Sequence, residues 1–322
     1  MKITKMYGWV LFLAFLCIYA CKKTETTPFT ETLDLSGRDT TMRPQDDFFS
    51  YANGNWVKNT EIPSDQSGWG SFYILGEENQ KKTKTILEEA AAANAAKGSI
   101  QQKVGDFYAS AMDTAKIEQL GYDPIKGELA KVDAIQNVQQ MFDFLATQEY
   151  NRGGALFGMA VFADDKRSDI NRLQFFQSGT GLPEKDYYFK NDDQTKAVRD
   201  AYVQYISNAF MLTGESDKAK AKQRANTVLK LETEFAKAHK SQVELRDPEA
   251  NYHKFVVSEM SKQTPGINWQ DFITKMNVTT DTILVGQPEY YIALDKLLKS
   301  TSIDILKDKI RFSIIDDAAN YL

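Results

Sequence analysis

The chain has 322 residues, 42% hydrophobic and 26% charged, which is the balance of a globular protein with room for one large or two ordinary domains. A net charge of −5, with lysines and arginines dispersed, excludes the concentrated basic face that a nucleic-acid partner requires. The two cysteines, Cys17 and Cys21, both lie at the extreme N-terminus and exclude a disulfide scaffold for the body of the chain.

Residues 1–20 read as a signal peptide. Lys2 and Lys5 give a positive start, and the apolar run at 7–19 is shorter than the roughly 20 residues that cross a bilayer. The run ends Ile18-Tyr19-Ala20-Cys21, which looks like a bacterial lipoprotein signal, with Cys21 as the lipidated first residue after cleavage. The alternatives are an uncleaved anchor or an ordinary secretory peptide. Residues 21–32 are polar and threonine-rich and read as a tether. The expected location is a bacterial cell envelope, with the protein lipid-anchored and facing periplasm or exterior.

Residues 44–75, PQDDFFSYANGNWVKNTEIPSDQSGWGSFYIL, form the densest aromatic stretch. Asp46 and Asp47 predict a helix start, because acidic side chains accept from free N–H groups there. Asn53-Gly54-Asn55 predicts its stop, and Ser71 the start of a second helix. Large rings bury much surface, so Phe48, Phe49, Tyr51, Trp56, Trp69 and Phe72 are expected to be mostly buried.

Helical patterns follow at 85–97, 100–112, 117–120, 125–132 and 138–148. Residues 155–163 and 170–177 read as two strands of a hairpin joined by a polar loop. Gly181-Leu-Pro-Glu-Lys-Asp-Tyr-Tyr188 then makes a turn, with Asp186 placed to cap a helix. Residues 194–212 carry an amphipathic stripe that includes Tyr202 and Phe210, and 217–239 a second that includes Leu231, Glu232 and Phe235. Residues 285–298 read as a strand and then a helix. Residues 306–322 read as a last helix, with the sequence ending inside it.

Five ordered motifs carry a resemblance. They are DDFFxYANGxW with the following IP and SxWGSF, VGDFYASAMD at 104–113, GLPxxDYY at 181–188, RDPxxxYxK at 246–254 with INWxxF at 267–272, and QPEYY at 287–291. In this order they resemble the N-terminal half of the neprilysin / endothelin-converting-enzyme family of zinc endopeptidases, peptidase family M13. The resemblance implies a mainly α fold over residues 33–322, the helical lid region of the M13 peptidase, with one small β-hairpin. Burial of the aromatic cluster is the structural test attached to it.

The same resemblance implies proteolysis of peptides with a zinc cofactor in the full-length enzyme. Such an enzyme needs HExxH, because histidines at i and i+4 share one helix face and reach one ion while the glutamate serves as base. The only histidines are His239 and His253, and neither sits in HExxH. A surface or packing role is expected for each. No catalytic residue, metal ligand or cofactor is expected in this chain, and substrate-binding residues remain unassigned. In the family the zinc motif lies C-terminal to the stretch present here. The chain is therefore expected to be inactive alone, as a truncation, gene fragment or split gene, with a C-terminal M13 catalytic domain, peptide substrates and membrane lipid as partners. A facing wall would be missing, leaving Phe312, Ile314, Ile315 and the aromatic hairpin bare.

Two departures limit the transfer. Mammalian neprilysin places arginines facing the substrate chamber in the segment matching 67–76, where Gly68 and Gly76 stand here, so peptide-carboxylate recognition through those arginines does not carry over. The cysteines flanking the aromatic motif in animal members are replaced by residues such as Gln45, Asp46 and Asn53, leaving stability to packing. The paired carboxylates Glu77-Glu78, Glu88-Glu89 and Asp192-Asp193 read as solvated faces, and Ser36 to Asp39 has no histidine partner. The alternative of another class is a stand-alone helical envelope lipoprotein acting as a binding or adaptor module.

Overall fold

The computed structural model describes residues 34–148 and 154–322. The signal-type segment, Cys21 and the tether lie outside the described residues. The chain divides into two compact units, the first ending at Tyr108 and the second running Ala109–Leu322.

The first unit is built on α1 (Phe48–Asn59), α2 (Ser71–Ala92) and α3 (Ile100–Met112), the last turn of α3 falling in the second unit. Asp47 caps α1 as its sequence predicts, accepting from the Ser50 amide at 2.9 Å. The expected stop at Asn53-Gly54-Asn55 is wrong, because α1 runs straight through it to Asn59. Gly54 serves close approach instead. A Cβ there would stand 2.8 Å from Asp39 Cβ, so the bare backbone lets segment 34–42 lie on the helix. Asp39 is held at that crossing by Lys58 Nζ at 2.6 Å and the Thr41 amide at 3.0 Å. A Cβ at Gly105 of α3 would stand 2.4 Å from the Ala90 carbonyl oxygen of α2, so these two helices meet through a glycine.

The expected burial of the aromatic cluster fails. Phe48, Phe49 and Phe72 are exposed by 69%, 65% and 90%, Trp56 is exposed, and Tyr51 and Trp69 are only half-buried. Among the described residues of the first unit, no second layer faces these apolar stripes. Hydrophobic character sets what a side chain gains by burial, while the presence of a facing element decides whether it is buried.

The second unit contains α4 (Thr114–Leu120), α5 (Lys126–Asp133), α6 (Val138–Thr147), strands β1 (Phe157–Asp164) and β2 (Arg167–Gln177), and α7 (Asp186–Phe189). It continues through α8 (Asp193–Leu212), α9 (Lys218–Ala238), β3 (Lys254–Val256), α10 (Val257–Gln263), α11 (Trp269–Lys275), β4 (Thr282–Val285), α12 (Pro288–Ser300) and α13 (Ile303–Ala318). The fold is mainly α with a small sheet. The expected hairpin is present, antiparallel from Phe157↔Gln177 to Asp164↔Arg167. It is extended to four strands in the order β1-β2-β4-β3, with β4 parallel to β2 through Gln174↔Leu284. The two added strands are three and four residues long, too short to show an alternating pattern.

One side of the sheet packs on an aromatic knot. The Phe157 ring centroid lies 5.4 Å from Trp269 and 5.6 Å from Phe272, and Phe142 meets Trp269 edge-on at 5.9 Å. Such edge-to-face arrangements bring positive ring edges to negative ring faces. The Trp269 N–H donates to Thr264 Oγ1 at 2.8 Å, so this fully buried indole keeps its polar partner. A second cluster joins α8, α9 and α13 through Ile206, Phe210, Val228, Phe312 and Ile315. The expectation that Phe312 and Ile315 are bare is thereby overturned, because α8 and α9 already cover them. Ile314 is half-buried, and α13 closes at Ala318 rather than running to Leu322.

Candidate functional site

Polar residues of two of the ordered motifs, RDPxxxYxK and QPEYY, converge on the β1–β2 hairpin and hold it at its tip and its base. At the base, the Tyr290 hydroxyl reaches the Leu156 carbonyl oxygen and, at 2.8 Å, that of Ser178. Tyr291 donates to the Phe176 carbonyl at 3.0 Å. These adjacent tyrosines of QPEYY start α12, whose first turn turns both hydroxyls toward the hairpin. The Gln287 side chain accepts from the Gln177 amide at 2.8 Å and donates to Asn251 Oδ1 at 2.9 Å. The Gln177 side chain closes a two-bond clasp with the Lys240 backbone, accepting at 2.8 Å and donating at 3.0 Å.

At the tip, Asp164 is buried at the end of β1. Burial opposes its ionisation, yet hydrogen bonds from Arg172 (2.6 Å), the Lys166 amide (3.0 Å) and Tyr252 (3.0 Å) hold its carboxyl below the usual range. Tyr252 comes from RDPxxxYxK, so that motif anchors the tip while QPEYY anchors the base. Between these anchors Val161 and Phe162, consecutive on the edge strand, are 58% and 59% exposed. The arrangement is a firmly held arm presenting apolar side chains. It contains no nucleophile with a base beside it.

The two histidines take the packing roles expected of them. His239 is buried, its ring centroid 4.9 Å from that of Tyr290, with Nε2 3.1 Å from the Ser178 carbonyl oxygen. Burial lowers its pKa below 6.5, opposed by the bond to Ser178 and reinforced by Lys185. His253 places Nδ1 3.1 Å from the Val285 carbonyl oxygen in the sheet. Both rings therefore spend a nitrogen on structure, and no group of three or more His, Cys, Asp or Glu residues suited to a metal occurs among the described residues. The donor set does not fit a zinc ion. The paired carboxylates behave as solvated faces. Glu77, Glu78 and Glu88 sit 3.7–3.9 Å from lysines one turn away on exposed α2, and Asp192 caps α8.

Sequence reasoning singled out the motifs but missed Asp164, Gln177 and Gln287 as polar anchors, because their partners lie far along the chain. A local signal stood only at Glu232, a charged residue inside the apolar stripe between Leu231 and Phe235, where it is fully buried.

Residues 44–322 match the model of the N-terminal region of peptidase family M13. The chain is 30% identical over 301 residues to endothelin-converting enzyme 1 of Rattus norvegicus, covering 89% of this chain and 39% of that protein. It is 28% identical over 296 residues to Neprilysin-3 of Drosophila melanogaster, covering 87% and 36%. Among solved structures it is similar to the inhibitor complex of the Mycobacterium tuberculosis zinc metalloprotease Zmp1, with a TM-score of 0.78 and 30% identity, covering 90% of this chain and 44% of that one. The chain thus spans about two fifths of the curated relatives it matches. Burial of the rings at 48–72 was the wrong test of the resemblance, since the match holds while those rings are exposed.

Proposed function

Because the chain belongs to peptidase family M13, we propose that it is the substrate-enclosing N-terminal region of a neprilysin-like zinc metalloendopeptidase acting on peptides. The zinc ligands and the general base come from a C-terminal catalytic half, and this region alone is inactive. The observation that carries the reading is the family match across residues 44–322 together with coverage of only 39% of the endothelin-converting enzyme. The two histidines already committed to Ser178 and Val285 support it, because hydrolysis by such an enzyme needs a metal-activated water.

The test has two arms. The chain alone is expected to bind no stoichiometric zinc and to show no chelator-sensitive cleavage of a fluorogenic peptide. Joined with a C-terminal half that carries HExxH, it is expected to gain both. Zinc-dependent turnover by the chain alone contradicts the reading, as does a joined protein that binds zinc without cleaving peptides.

We further propose that Cys21 carries lipid and anchors the protein to a bacterial envelope membrane. The support is the Ile18-Tyr19-Ala20-Cys21 pattern after a short apolar run. Multiple acyl chains anchor stably where one does not. Cys21→Ala is expected to move the protein from the membrane to the soluble fraction, and unchanged fractionation overturns this.

A further inference from the structure

Glu232 of α9 is 0% exposed and Lys309 of α13 is 4% exposed. Lys309 Nζ lies 2.8 Å from Glu232 Oε1, and Tyr202 of α8 donates to the same oxygen at 3.0 Å. The other oxygen, Oε2, accepts from Tyr188 of α7 at 2.7 Å and from the Gly181 amide at 3.1 Å. The Tyr188 hydroxyl in turn accepts the Leu182 amide at 3.0 Å. One carboxylate thereby joins three long helices to both ends of the GLPEKDYY segment. Burial and the Glu232 charge push the hydroxyls of Tyr188 and Tyr202 well above their usual range, so both remain donors.

The segment is shaped to receive that carboxylate. A Cβ at Gly181 would stand 1.9 Å from the Tyr202 hydroxyl oxygen, so the first residue of GLPEKDYY is glycine to let the loop backbone reach Glu232. Two residues earlier, Gly179 has φ +89°, and a Cβ there would stand 2.8 Å from the Leu156 carbonyl oxygen at the start of the hairpin. The segment leaves β2 through this tight passage, and its placement sets how the hairpin base is closed.

We propose that Glu232 and Lys309 form a buried ionic lock whose task is to fix one position of the GLPEKDYY segment, and through it the hairpin base, rather than to add net stability. Apolar residues of similar volume often replace a buried ion pair with no loss of stability, so burial of this pair is not by itself evidence that it stabilises the fold. Removing one charge alone leaves its partner buried and unpaired, which is costly. Lys309 has no hydrogen bond to the segment and acts on it through Glu232. It is a positioning residue.

The test is hydrogen exchange of the 178–188 peptide alongside thermal melting of the full chain. E232Q is expected to melt roughly 10 °C below wild type and to lose protection of the Gly181 and Leu182 amides. K309M, which alters no direct contact of the segment, is expected to speed exchange of those two amides by at least roughly tenfold while the 269–276 peptide stays protected. E232M/K309M removes both charges but leaves the Tyr188 and Tyr202 hydroxyls and the Gly181 amide without their acceptor, so it is expected to melt below wild type and to leave the Gly181 and Leu182 amides unprotected. Wild-type protection at Gly181 and Leu182 in K309M overturns the lock, because packing alone then holds the segment. So does restored protection in the double variant. Should E232Q fail to fold, K309M and the double variant still decide the matter.

Discussion

Two sets of aromatic rings in this chain have opposite fates. In the second unit Phe142, Phe157, Phe175, Trp269, Phe272 and Tyr291 are almost wholly buried around one another. In the first unit Phe48, Phe49 and Phe72 stand in solvent although their segment is denser in aromatics. The second unit supplies a sheet and α6, α11 and α12 to enclose its rings. The described residues of the first unit supply α1, α2, most of α3 and the segment 34–42, and among them no layer faces these rings. A strong motif therefore marks a segment that matters without saying that it is core. Rings of one kind serve packing in one unit and offer surface in the other.

The contrast is broken most directly by truncating one ring from each set. Trp269→Ala is expected to cost about 3–5 kcal/mol, since it empties the centre of the knot and removes the donor to Thr264 Oγ1. Phe72→Ala is expected to change stability by less than about 0.5 kcal/mol, as exposed substitutions do. Equal destabilisation in chemical denaturation would show the first unit to be as closed as the second.

Tyr290→Phe comes next in size. It keeps the ring and removes the hydroxyl that reaches the Leu156 and Ser178 carbonyls, at an expected cost of about 1–3 kcal/mol. Exchange of the hairpin base is expected to rise with it, and a neutral outcome would mean that Tyr291, Gln287 and the Gln177–Lys240 clasp hold the base without it.

A smaller effect follows from His239. Its folded pKa lies below 6.5, so the folded state prefers the neutral ring. Its contribution is fully present above pH 6.5 and is lost as pH falls from there toward the folded pKa, because the unfolded chain binds the proton more readily. Wild-type melting temperature is expected to fall between pH 7 and pH 5 more steeply than that of His239→Gln, and parallel curves would remove His239 as the cause. The smallest effect on stability is expected from Phe48→Ser/Phe72→Ser, which should nonetheless lower binding of an apolar dye and slow aggregation. An undiminished dye signal would place the exposed apolar surface elsewhere.

Much of the architecture was legible in the sequence. The 3.6-residue stripes of α8 and α9, the two strands of the hairpin and the cap at Asp47 each follow from local chemistry. The stretch through Asn53-Gly54-Asn55 was misread because a glycine that ends a helix and a glycine that admits a neighbour look alike until Asp39 is seen against it. β3 was hidden by its shortness, whereas the strand expected at the start of 285–298 is present a few residues earlier, as β4. Phe312 and Ile315 were assigned to a missing wall because the sequence does not say that α8 and α9 already cover them. Of the candidate site, the motifs were visible but their shared task was not. Tyr252, Gln287, Tyr290 and Tyr291 lie far along the chain from the hairpin they hold, and only the fold brings them together.

The contrast between the two units is tested most directly by tryptophan quenching. In a chain with Trp9, Trp56 and Trp69 changed to Phe, Trp269 is the sole indole. Its emission is expected to be blue-shifted and to resist acrylamide until the chain unfolds. Adding Phe72→Trp to that background is expected to introduce a second, red-shifted component that acrylamide quenches freely. Two components that both resist quenching would show that the aromatic surface of the first unit is closed, and would contradict the account.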